Sequence, residues 1–288
     1  EQRLLAKAGD ERRRSVTDHV EVGTLRGEFV LAAVQLHHVL AAIKDVDFEA
    51  QANPGEAFVA CDEIEHLLQA SPADRERFRE RITGLAKDVQ DLLVALNLTD
   101  VTLMGHSMGC SVMWSYWELW GADRLAKLVL VDQMPMITAD PAWSPQEKED
   151  AGAIFDPTSL YATIDKLAGP DGVKTTEGFI GGMFTKDYSR DEVAWAVRQN
   201  LKMPREYAAA LLLNHSSQDW RHLIPRITLP TLVVGGKTSV VPWKSQVWVH
   251  NQIRGSRVEI FEESEGGNHF MFMENPEKFN RIVREFIG

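Results

Sequence analysis

In the second half of the chain, short β-branched and aliphatic runs alternate with longer segments whose apolar positions recur every three or four residues. That rhythm predicts an α/β fold, a mostly parallel central sheet flanked by helices. Four runs read as buried strands: VTLM at 101–104, KLVLV at 127–131, TLVVG at 231–235 and RVEIF at 257–261. Ahead of the first, LAKDVQDLLVAL sets Leu85, Val89, Leu92, Leu93 and Leu96 at helical spacing, and a second helix is expected to start near Met108.

From about 136 to 220 the rhythm breaks into helical patterns interrupted by Pro141, Pro145, Pro157, Pro170 and Pro204. This stretch reads as a helical cap inserted into a core made of 1–135 and 221–288. Most of its large apolar residues are expected to pack cap against body, but a lid also presents some apolar face to the cleft beneath it. Trp143, Phe155, Phe179 and Met183, with His106 and Phe270 from the core, are the expected pocket lining. The first 80 residues are less regular: VTDHVEVG alternates like a strand, EFVLAAV suits strand or helix, and EAFVACD reads as a short buried strand ending at Asp62.

With 288 residues and 44% hydrophobic content, the chain can fill a substantial core. Its 42 acidic residues are spread along the sequence and the net charge is −11, a surface poorly suited to nucleic acid. Two cysteines, Cys61 and Cys110, make no disulfide framework. No apolar run approaches the 18 or so residues of a membrane span, and the first residues lack the apolar core of a secretory signal. A cytoplasmic protein without membrane insertion, monomer or homodimer, is the expectation. No His, Cys and Asp cluster has ligand spacing, so neither metal nor organic cofactor is implied.

The chemistry centres on Gly105-His106-Ser107-Met108-Gly109. A Gly-x-Ser-x-Gly pattern occurs by chance in roughly one chain in ten of this length, given frequencies near 7% for Gly and Ser. Its setting adds weight: VTLM runs directly into it and CSVMWSYWEL directly follows, the strand-turn-helix context of a nucleophile elbow. Serine needs a base, and His269, in a loop after RVEIF and flanked by Gly266 and Gly267, is the candidate. The plainer alternative makes Ser107 a helix N-cap between turn glycines.

GHSMG, LAKLVLVDQ, LPTLVVGG and GGNHFMFMENPEKFNRIVREF together resemble the α/β-hydrolase family, well over residues 85–135 and 225–288 and in character only across the cap. The resemblance implies Ser107 as nucleophile, His269 as base and an acid to orient the histidine. Most relatives carry that acid after the strand matching TLVVG, yet here Thr238 stands in its place. Others, haloalkane dehalogenases among them, carry it one strand earlier, which selects Asp132; an aspartate that merely caps the following turn is the other reading. Met108 N–H is the first expected oxyanion donor. The second falls at Leu36, in a Gln35-Leu36-His37-His38 loop that lacks the usual glycine.

These assignments imply acyl-enzyme hydrolysis of a small, largely apolar ester, lactone or amide. Serine at the elbow argues against dehalogenase or epoxide hydrolase chemistry, for which the resembling enzymes use aspartate. Lyase or cofactor-free oxygenase chemistry on the same triad, and a catalytically silent binding protein, remain open alternatives.

Overall fold

The computed structural model of the protein describes residues 81–288 and the backbone of a short strand at 29–31. The segments VTDHVEVG and EAFVACD, together with Cys61, Asp62 and the Leu36 loop, lie outside the described residues. Five described strands form one parallel sheet in chain order: β1 (Phe29–Leu31), β2 (Val101–His106), β3 (Leu125–Val131), β4 (Thr231–Gly236) and β5 (Arg257–Phe261). EFVLAAV thus contributes a strand, and the four runs expected downstream all pair, each extended by no more than two residues at either end.

β3 and β4 are apolar at successive positions because both faces of the sheet are covered. Alternate residues point to opposite sides: Leu128, Leu130 and Val233 join one core cluster, while Val129, Val131, Leu232 and Val234 join another. The first cluster takes in α1 (Ile82–Ala95) and α2 (Met108–Trp120), with the buried Trp114 and Tyr116 on α2. α1 starts three residues before the expected segment and ends at Ala95. Leu96 is therefore its C-cap and more than a third exposed, whereas Ile82 and Ala86 are buried.

Between β3 and β4 the chain forms five α-helices: α3 (Pro145–Ala151), α4 (Pro157–Ala168), α5 (Gly172–Gly181), α6 (Arg190–Asn200) and α7 (Arg205–Ser216). Pro145 and Pro157 begin helices instead of interrupting them, since the first helical position has no intrahelical use for an N–H. α7 ties the insertion to the core twice. Asn214 Oδ1 accepts the Ile82 N–H at 2.9 Å, capping α1, and the buried Ser111 and His215 side chains meet at 3.0 Å.

After β4 come α8 (Trp243–Gln252), β5, a four-residue helix α9 (Met271–Glu274) and α10 (Pro276–Ile287). α10 carries Pro276 in its first turn and an Asn275 cap, and it lays Phe279, Ile282 and Val283 on the second core cluster. Among the described residues, no helix is long and apolar enough to cross a membrane.

Candidate active site

β2 ends at His106, and Ser107 turns the chain into α2 with φ 54° and ψ −126°, a conformation costly for any residue with a Cβ. It is held by the Ser107 N–H donating to Val131 O at 2.8 Å and by the Cys110 N–H donating to Ser107 O at 2.8 Å. A Cβ on Gly105 would stand 2.6 Å from the Gly109 carbonyl group and 2.6 Å from Met113 Sδ, so only glycine lets α2 fold back against the strand. Met108 is the first residue of α2, where backbone N–H groups lack intrahelical partners.

One strand over, β3 ends in the same way. Asp132 has φ 54°, and its N–H donates to Val234 O at 2.8 Å. The side chain is wholly buried, and one carboxylate oxygen, Oδ2, lies 2.7 Å from His269 Nδ1. The other, Oδ1, accepts the Gly236 N–H at 3.3 Å. A third donor is the Ser239 hydroxyl, which bonds Oδ2 and lies 3.5 Å from His269 Nδ1. Nothing in the sequence singled out Ser239. The stretch that should have supplied an acid supplies this hydroxyl one residue on, while Thr238 turns its own hydroxyl to Gly267 O at 3.0 Å.

His269 is brought in by a folded-back loop. Gly266 adopts φ 72°, and Gly267 O accepts the Thr238 N–H at 2.9 Å, so the loop lies directly on the end of β4. The His269 N–H donates to Asn268 Oδ1 at 2.8 Å and to Met183 O at 3.2 Å, the latter from the helical insertion. Behind it, His106 Nε2–H donates to His269 O at 2.9 Å, and the His106 ring packs against His269, Phe270 and Phe272. A carbonyl can only accept, so this bond fixes the His106 tautomer. Burial holds His106 down at about 3, keeping it neutral.

Burial acts on the central pair as well, raising the Asp132 carboxyl and lowering the His269 imidazole. A neutral imidazole donating Nδ1–H to a carboxylate bound by the Ser239 and Gly236 donors is the arrangement these contacts favour. Nε2 is then left with its lone pair. Ser107 Oγ and His269 are not hydrogen-bonded to one another in this structure, and such contacts often close only when substrate is bound.

The expected pocket residues scatter. Met183 and Phe270 are buried in one cluster with Phe184 beside His269, and His106 supports the histidine loop from behind. Phe155 packs against Met134, Ile137 and Val241 in a separate cluster. Trp143 stacks under the Arg221 guanidinium at 4.2 Å, and Phe179 is 39% exposed on α5, whose Ile180 faces inward instead. A cavity of about 890 Å³ opens where α5 and α6 meet the His269 loop, lined by Phe184, Val197, Thr238 and Asn268 among others but by none of the six. Among the described residues, no group of three or more His, Cys, Asp or Glu side chains is arranged to hold a metal ion.

A parallel sheet covered by helices, with a serine elbow after one strand and a His–Asp pair closed from two later ones, defines the α/β-hydrolase class. Residues 47–282 match the alpha/beta hydrolase family, and the chain belongs to it. It is 29% identical over 217 residues to the non-heme chloroperoxidase CPO-A1 of Kitasatospora aureofaciens, covering 70% of this chain and 73% of that one. It is 32% identical over 231 residues to the serine hydrolase BPHL of Homo sapiens, covering 75% of this chain but only 64% of the relative. Among solved structures, an esterase from Exiguobacterium antarcticum superposes with a TM-score of 0.65 at 26% identity, over 72% of this chain and 74% of that one. A hydrolase from Oleispira antarctica superposes over 96% and 97% of the two chains with a TM-score of 0.66; at 16% identity the likeness is one of fold.

Proposed function

We propose that the protein is a serine hydrolase that cleaves a small, largely apolar ester, lactone or amide through an acyl-enzyme. The observation that carries this reading is the buried 2.7 Å contact between His269 Nδ1 and Asp132 Oδ2, with Asp132 at the end of the strand paired to the one that ends in the strained serine elbow. Ser107 Oγ attacks the acyl carbon while its proton passes to His269 Nε2, and Asp132 balances the imidazolium that forms. The oxyanion is received by Met108 N–H at the start of α2, where the helix dipole also favours negative charge. Collapse breaks the bond to the alcohol or amine, which leaves with the proton from Nε2. Water, deprotonated by the same nitrogen, then attacks the acyl carbon and frees Ser107.

The likeness to a serine hydrolase and an esterase supports hydrolysis as the reaction. The burial of the helical insertion against Phe270 supports its role as a lid over the same site. Labelling decides the matter: a fluorophosphonate probe should modify the protein at Ser107, and Ser107→Ala should abolish both labelling and turnover of p-nitrophenyl esters. A wild-type protein that folds but takes no label would make the chain a binding protein on this fold.

A further inference from the structure

We infer that Ser239 is a positioning residue for the His269–Asp132 pair, its hydroxyl supplying the hydrogen bond that keeps the buried carboxylate ionised and aimed at the imidazole. The inference rests on the reading of Ser107, His269 and Asp132 as a catalytic triad.

The geometry assigns the direction of the bond. Ser239 Oγ accepts the Val241 N–H at 3.1 Å, so one lone pair is already engaged and the single hydroxyl proton is directed to Asp132 Oδ2. That is the same oxygen His269 Nδ1 approaches, and Ser239 Oγ lies 3.5 Å from Nδ1, so the hydroxyl sits against both partners. Asp132 needs such help because, among the described residues, no cation faces it. The titratable groups around it are His269 from the loop before α9, His106 from the end of β2 and Cys110 from α2; burial keeps both imidazoles neutral and the thiol protonated. The remaining donor, the Gly236 N–H, is a long contact at 3.3 Å. Burial pushes the Asp132 carboxyl up, and the Ser239 hydrogen bond is the largest influence opposing it. The position has a structural logic as well. Where most relatives of this fold are expected to place the acid in the turn after β4, this chain has moved the acid to the end of β3 and kept a polar hand in that turn.

The sign follows directly. Removing the hydroxyl favours the protonated form of the pair, which cannot accept the Ser107 proton, so the loss must be greatest at low pH and shrink as pH rises. A hydrogen bond to a charged acceptor is strong enough to move the pair's apparent pKa by about one unit.

Ser239→Ala is therefore expected to move the acid limb of the kcat/KM profile up by about one pH unit, lowering the rate by up to about tenfold on the acid side of that limb and little well above it. Ser239→Thr, which keeps the hydroxyl, should return the wild-type profile. A Ser239→Ala enzyme slowed equally at every pH, with its acid limb unmoved, would overturn the inference. NMR titration of the His269 ring gives a readout independent of turnover: its apparent pKa must rise in Ser239→Ala and not in Ser239→Thr. An unshifted titration overturns the inference even if the variant is inactive, whereas failure of fluorophosphonate to label Ser107 overturns the serine mechanism and leaves the titration to decide Ser239.

Discussion

The rings of Phe184, from the helical insertion, and Phe270, the residue after His269, stack with centroids 4.6 Å apart and planes within 14° of parallel. Around this stack the insertion grips the histidine loop. Met183 O accepts the His269 N–H, Asn268 Nδ2 donates to Gly182 O at 3.4 Å, and the Glu274 carboxylate accepts both the Thr185 N–H at 3.0 Å and the Thr185 hydroxyl. The His269 loop is thus held partly by the helical insertion. Phe184→Leu keeps an apolar side chain but loses the stack, and should destabilise the protein by about 1–2 kcal/mol in urea unfolding. Because the loop is then less firmly held, kcat should fall by up to about tenfold. A variant that loses stability yet keeps full kcat would separate the stack from the placement of His269.

Asp132→Asn replaces the acceptor of the His269 Nδ1–H by a group that can also donate, which permits the wrong tautomer. By the magnitude known for a Ser-His-Asp triad, kcat should drop roughly 10⁴-fold while the fold is retained. Circular dichroism and steady-state kinetics on the same preparation check both halves. Turnover equal to wild type would assign Asp132 to turn structure alone.

How far the site was legible depends on whether its parts are local in sequence. Ser107 could be read because strand, glycines and helix are contiguous. Asp132 could be reached because a strand end points at the same sheet edge as the elbow, and the empty position at Thr238 directed attention there. Ser239 could not, since its role exists only once the turn after β4 lies across the end of β3. His106 was expected in the pocket; the structure shows its Nε2–H bracing the His269 carbonyl, a contact that sequence spacing does not reveal. Phe179 illustrates the limit of apolar patterning: on α5 the helical phase gives the interior to Thr176 and Ile180 and leaves Phe179 outside. The Leu36 oxyanion loop lies outside the described residues.

His215 pairs with Ser111 in the interior, and burial holds its imidazole down at about 3, against about 6.5 in an unfolded chain. Between those values the unfolded state binds a proton that the folded state does not, so stability rises with pH through this window and is lost as pH falls below 6.5. At about 1.4 kcal/mol per pH unit, the group weakens the fold by about 2 kcal/mol between pH 6.5 and 5. In His215→Gln, the fall in unfolding free energy from pH 7 to pH 5 should be smaller than in wild type by that amount. Asp132, His106 and His269 titrate in both proteins and cancel in the comparison. Parallel losses in the two proteins would mean that His215 is protonated in the folded state.

Gly236 closes β4 beneath the histidine loop, and the space above it is filled by backbone. A Cβ there would stand 2.3 Å from Gly267 O, 2.6 Å from Gly267 C and 2.9 Å from Asn268 O. None of these atoms can swing aside as a flexible side chain could, so Gly236→Ala must lift the loop that carries His269. Overpacking of this kind costs about 1–3 kcal/mol, and it acts on the chain segment that joins the base to its acid. The expected result is a loss of stability accompanied by a fall in kcat larger than any rise in KM. Gly178→Ala is the matching control: it lies within α5 with no neighbouring atom within 4 Å of its added Cβ, and should be neutral or stabilising by about 0.5–1 kcal/mol. If Gly236→Ala behaved like Gly178→Ala in both stability and turnover, the contact between the end of β4 and the His269 loop would have no part in holding the base against Asp132.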